Sequence, residues 1–95
     1  MNAKIDENMV VVAEDQQVSG NLPDGNAVIL NLNSGVYYGL NSVAGRVWSL
    51  VQKPISFTEL RDILMTEYDV NHNQCTEELV RLLYDMSAQG LVQTG

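Results

Sequence analysis

Residues 27–41 read Ala27-Val28-Ile29-Leu30-Asn31-Leu32-Asn33-Ser34-Gly35-Val36-Tyr37-Tyr38-Gly39-Leu40-Asn41, and the fold turns on this stretch. Ala27–Leu32 is a run of β-branched and aliphatic residues and reads as a strand. Asn33-Ser34-Gly35 is a tight connection, so Val36–Leu40 returns beside the first run as the second arm of an antiparallel hairpin. Side chains alternate along a strand. Val36, Tyr38 and Leu40 therefore point one way and Tyr37 and Gly39 the other, which gives each face an aromatic ring. At Asn41 the apolar period changes. Val43, Val47, Leu50 and Val51 recur at helical spacing, so a helix follows the hairpin directly.

Upstream, Met9–Ala13 is a short β-forming run that ends at Glu14-Asp15 and predicts a first strand. The stretch from Asp15 to Asn26 collects Gly, Pro, Asn and Asp and reads as a loop. Within it Pro23-Asp24-Gly25 supplies a turn, because proline presets φ and glycine accepts φ > 0. Residues 1–8 are polar and mixed in charge, which predicts a flexible N-terminus. Downstream, Asn41 or Ser42 can cap the first helix and Pro54 ends it. Ser56-Phe57-Thr58-Glu59 matches a capping box, and the helix it opens places Phe57, Leu60, Ile63, Leu64 and Tyr68 on one side. A turn at Asp69–Asn73 leads to a third helix from about Gln74 to Gln89, stopped by Gly90. The expectation is an α+β chain: a three-stranded antiparallel sheet followed by three helices, winged-helix-like, forming one domain over residues 9–93.

Composition narrows the function. The 95 residues carry 12 acids and 5 bases, a net charge of −7, and an acidic chain repels nucleic-acid phosphates and anionic lipid. The longest apolar run, Met9 to Ala13, is too short to cross a membrane, and no basic-then-apolar leader opens the chain. One cysteine, Cys75, cannot form an internal disulfide, so a cytoplasmic protein is expected. His72 and Cys75 are the only residues of their kinds. Together they supply too few ligands for a closed zinc site, and Asp69, Glu77 and Glu78 nearby oppose a thiolate. Gly20, Gly25, Gly35 and Gly39 are isolated and form no phosphate loop. No cofactor or metal is implied, and no complete catalytic constellation is present. A DNA-reading third helix would be basic on its outer face. This one carries Glu77, Glu78 and Asp85 against Arg81, while Lys4, Arg46, Lys53 and Arg61 are scattered elsewhere.

The third helix carries more apolar surface than one packed face requires. Cys75, Leu79, Leu82, Leu83 and Met86 make a core stripe; Val80 and Tyr84, beside Ser87 and Ala88, widen it to roughly 200° against the ~100° that packing needs. Two readings fit: a small domain wrapping this helix more fully, or a hydrophobic groove along its flank. The strand Val36–Leu40 matches the second. As the last strand of a hairpin-ordered sheet it can form an edge, and it has no Lys, Pro or inward charge to block pairing. An unprotected edge beside an apolar helix flank suits capture of an extended peptide as an added strand.

The run Val28 to Asn41, with Ala44 and Val47-Trp48-Ser49-Leu50 after it, resembles the PqqD-like peptide chaperones, also called RiPP recognition elements. Later pieces agree: Phe57-Thr58-Glu59-Leu60, Tyr68-Asp69-Val70, Leu79-Val80 with Leu82-Leu83, and Gly90-Leu91-Val92, so the likeness spans about residues 8–93. Within that family the chain resembles the stand-alone proteins of lasso-peptide pathways. The resemblance implies a winged-helix-like fold without catalysis and binding of a precursor's leader peptide, which adds to the third strand and packs on the third helix. Carried over residue by residue, it implies an edge of Val36, Tyr37, Tyr38, Gly39 and Leu40 and a helix side of Val80, Leu83, Tyr84 and Ser87; Tyr84, large, apolar and off the core stripe, is expected as a pocket wall. Where relatives often have a more basic helix face, this chain has Arg81. A separate cysteine peptidase that removes the leader, and a cyclase acting afterwards, are the implied partners. Two rival readings are a chaperone for a radical enzyme's peptide substrate, as in quinone-cofactor biosynthesis, and a winged-helix DNA-binding regulator. A third is a thiol enzyme using Cys75.

Overall fold

The computed structural model describes residues 8–95; the expected flexible segment 1–8 lies outside the described residues except for Asn8. The hairpin forms as the sequence predicts. β3 (Ala27–Asn31) pairs antiparallel with β4 (Tyr37–Leu40), Ile29 opposite Tyr38 and Leu30 opposite Tyr37. Asn31 holds the reversal. Its side-chain oxygen accepts from the N–H groups of Asn33 (2.9 Å) and Ser34 (3.1 Å), and its carbonyl accepts from Gly35 N–H at 2.8 Å. Gly35 sits at φ +72°, a left-handed conformation that costs glycine little. Ala27 and Ile29 are buried, and Tyr38 and Leu40 pack on the same core from β4.

The sheet differs from the single three-stranded one expected. Among the described residues six short strands form two antiparallel sheets, ordered β5-β1-β6 and β2-β3-β4. β1 (Val10–Ala13) does not join the hairpin; it is the centre of the first sheet, between β5 (Ile55–Ser56) and β6 (Val92–Thr94). The place beside β3 belongs to β2 (Gln17–Asn21), in the stretch read as loop, paired from Gln17↔Asn31 to Asn21↔Ala27. β2 has one large apolar side chain, Val18, and four of its five residues are exposed. Backbone hydrogen bonds to β3 hold it, so no hydrophobic alternation announces it. Gln16, at φ +68°, turns the chain between the two sheets. β1 is tied in through both edges: Val10 and Gly95 exchange hydrogen bonds of 2.8 and 3.0 Å, and Phe57 N–H donates to Met9 carbonyl at 3.0 Å.

Side-chain caps set the helix starts. Asn41 caps α1 (Ser42–Leu50), accepting from Ala44 N–H; Ser56 caps α2 (Phe57–Glu67), accepting from Glu59 N–H. Asn71 caps α3 (His72–Ala88) by accepting from Gln74 N–H at 2.7 Å, so this helix starts two residues before the expected Gln74. Its end is a Schellman closure. Gly90 at φ +75° donates to Ser87 carbonyl and Leu91 N–H to Met86 carbonyl, which returns Leu91 to the core. Phe57, Ile29, Leu60, Leu83, Val11, Val47 and Val51 are the largest fully buried side chains, so all three helices and both sheets share the core. Outside it, Arg46 of α1 grips the Glu67 carboxylate of α2, with Nη2 to Oε2 at 2.7 Å. This hydrogen bond lowers the Glu67 pKa and raises that of Arg46.

Two expectations follow for stability. Ser56→Ala should lower the unfolding free energy by about 1 kcal/mol, by leaving a helix-start N–H unpartnered; denaturant titration measures this. Because the folded Glu67 pKa is depressed, the ion pair's contribution is present above the ordinary carboxylate range and fades as pH falls through the folded value. Both groups are partly exposed, so the effect is small. Glu67→Gln should therefore lower the melting temperature slightly at pH 7 and leave it unchanged in acid.

Candidate functional site

Among the described residues β4 pairs with β3 on one side only; the order β2-β3-β4 leaves its other side open. Its sequence, Tyr37-Tyr38-Gly39-Leu40, has no charge and no proline, the devices that usually keep an edge from pairing. Facing it across a groove is α3. The strand wall is Tyr37, Tyr38, Gly39 and Leu40; the helix wall is Leu82, Asp85, Met86 and Gln89, with Leu91 between. The helix residues fall at i, i+3, i+4 and i+7, one line along the helix. The groove runs on past Asn41 and Val43 at the start of α1, where Glu78 and Arg81 face them. It ends in an apolar pocket of about 140 Å³ lined by Val43, Val47, Leu64, Tyr68, Cys75 and Leu79, with Glu78 also lining it. Leu82 lines all three sections.

The structure brings together part of the set expected from the sequence. Tyr37, Tyr38, Gly39 and Leu40 line the groove, and Arg81 lines its extension. Val36 precedes β4 and is 45% exposed. The helix side is different. Leu83 has none of its surface exposed and belongs to the core, so it offers no wall. At about 100° per residue, Val80, Tyr84 and Ser87 lie on the flank of the core stripe opposite to that of Leu82, Asp85 and Gln89. Tyr84 lies off the core as expected, 42% exposed, but on the side away from β4. Periodicity measures the width of an apolar arc and does not say which flank a distant strand will face. Asp85 and Gln89, being polar, read in the sequence as part of the helix's wet face and not as a groove wall. Leu82, half-buried and packed against the core, was the usable signal, since its polar neighbours at i+3 and i+7 complete a groove wall.

Charge and reactivity in the groove are modest. Its α3 side mixes Glu78 and Asp85 with Arg81. Burial pushes the Cys75 thiol above its ordinary pKa, and Glu78 and Asp62 add to the shift while Arg61 opposes it. The thiol is buried and approaches Arg61 carbonyl at 4.0 Å, so it stays protonated at neutral pH. Among the described residues no three His, Cys, Asp or Glu side chains gather as a metal site, and no helix is long and apolar enough to cross a membrane. Iodoacetamide at pH 8 should alkylate Cys75 in the folded protein at least about tenfold more slowly than free cysteine, and denaturant should abolish the difference. Mass spectrometry of timed aliquots reads both rates.

Comparison with known proteins bears on this geometry. The family described as coenzyme PQQ synthesis protein D (PqqD) matches residues 26–92. A solved structure of TbiB1 in complex with the TbiA(beta) leader peptide is similar, with a TM-score of 0.79 at 29% sequence identity, covering 86% of this chain and 94% of that one. A lasso peptide synthetase B1 complexed with the leader peptide has a TM-score of 0.75 over 87% of this chain and 96% of its own; at 19% identity the likeness is one of fold. No curated protein sequence matches the chain.

Proposed function

This chain belongs to the PqqD family, and on that premise we propose that it is a non-enzymatic protein that binds the leader peptide of a ribosomally made precursor, of lasso-peptide type. The leader adds as a strand to β4, seats its side chains against the Leu82 flank of α3, and is presented to a separate cysteine peptidase and then to a cyclase. The observation that carries the reading is the open β4 edge facing α3 across the groove. A strand edge offers backbone donors and acceptors to any extended peptide, and the pockets beside it select side chains. The similar TbiB1 structure holds a leader peptide, which supports the same ligand class here. The protonated, buried Cys75 supports a binding role over a thiol enzyme. Glu77, Glu78 and Asp85 on α3 disfavour DNA, whose phosphates they would repel.

Calorimetric titration with leader peptides encoded beside the gene tests the proposal. Wild-type protein should bind a cognate leader, and mass spectrometry should find the precursor unchanged after incubation with this protein alone. Leu82→Ala should weaken binding about ten- to hundredfold, the loss expected for 1–3 kcal/mol of apolar contact. Tyr84→Ala, on the opposite flank, should bind within about twofold of wild type. Loss of binding in a folded Tyr84→Ala protein with Leu82→Ala unaffected would place the leader on the other side of α3.

A further inference from the structure

The face of the β2-β3-β4 sheet turned away from the core is apolar. Alternation along the strands sets Val18 and Gly20, Val28 and Leu30, and Tyr37 and Gly39 opposite to the buried Ala27 and Ile29. The register aligns them in two rows across the sheet, Val18–Leu30–Tyr37 and Gly20–Val28–Gly39. No charged residue occurs in any of the three strands, although the wet face of an antiparallel sheet is ordinarily polar. Val18 is 54% and Tyr37 69% exposed, and Leu22 and Leu32, just beyond β2 and β3, are exposed too. Val28 and Leu30 are half-buried yet are not among the side chains packed on the core. β2 also reverses the usual polarity, with Val18 outward and the polar Ser19 on the body side, opposite Ile29. A Cβ at Gly20 or Gly39 would meet nothing within 4 Å, so none of the described residues covers the sheet beside Val28 at those positions.

We propose that this face docks a second protein, the enzyme that acts on the peptide held at β4, through an apolar surface bordered by Lys and Arg side chains. Two observations select that occupant. Residues 8–45 contain Glu14, Asp15 and Asp24 and no Lys or Arg, and the exposed Asp15 and Asp24 lie in the turns at either end of β2. A basic rim is attracted there, whereas a second copy of this chain, at net charge −7, would set acid against acid. Continuity is the other argument. Tyr37 belongs both to the outer row and to the groove wall, so an enzyme on this face lies against the peptide-bearing edge. The inference rests on the peptide-binding reading for its choice of enzyme.

The test compares wild type with Val18→Asp, Leu32→Asp and the double variant, with Val18→Thr as a β-branched control that keeps the strand's shape. Leader affinity is measured by calorimetry, and affinity for the purified leader peptidase by biolayer interferometry at low and high salt. Leader affinity should stay within about twofold in every variant. Peptidase affinity should fall about tenfold or more in the double variant and little in Val18→Thr, and wild-type association should slow at high salt. Unchanged peptidase affinity in folded double variant overturns the proposal, as does a wild-type protein that does not bind the peptidase. A wild-type dimer abolished by the same substitutions also overturns it, by giving the face to a second copy. If wild type binds no leader, the peptide reading falls, while the loss or retention of peptidase binding still decides the docking face.

Discussion

The register of the β3–β4 hairpin is the constraint on which the rest depends. Asn31 fixes it by accepting two backbone N–H groups with its side chain and a third with its carbonyl, while Gly35 takes the left-handed turn. A slip of one residue would exchange the faces of β4, turning Tyr38 and Leu40 to solvent and Tyr37 and Gly39 to the core. The same slip would remove the apolar contact through which β4 stands beside α3. Groove, open edge and outer apolar face are consequences of one turn.

The groove's other wall is fixed by the way α3 is held. Asn71 sets its start and the Gly90 closure sets its end, and Cys75, Leu79, Leu83 and Met86 lock its rotation by burial. With that stripe in the core, Leu82 is left at the boundary, packed on one side and available on the other. Such a wall needs no rearrangement to receive a strand, and preorganisation of this kind lowers the ordering cost of binding. The polar members Asp85 and Gln89 leave the wall partly wet, so in the proposed complex backbone pairing at β4 would supply affinity that side chains alone would not.

Much of this was legible in the sequence, for identifiable reasons. The hairpin, the three helices, the Ser56 cap and the Gly90 stop rest on local chemistry that acts within a few residues, and each appears where local chemistry puts it. What escaped depends on distant partners. β2, reading Gln17-Val18-Ser19-Gly20-Asn21, is a strand because β3 lies beside it, and β5 and β6 are too short to show a period. β1 was recognisable as a strand, but its membership in a second sheet follows from where the chain's end returns. That β4 could form an open edge was readable from its place in the hairpin and the absence of blocking residues. The helix flank facing it could not, because Val80 and Tyr84 made the flank turned away from β4 look the more apolar.

Amide hydrogen exchange with and without a leader peptide tests the central claim most directly, since strand addition pairs backbone groups that are otherwise open to water. The account predicts new protection concentrated in Tyr37–Leu40, with smaller gains along α3 from Leu82 to Gln89 and none in β2. Protection appearing in β2 or α2 while β4 exchanges at its free-protein rate would contradict it.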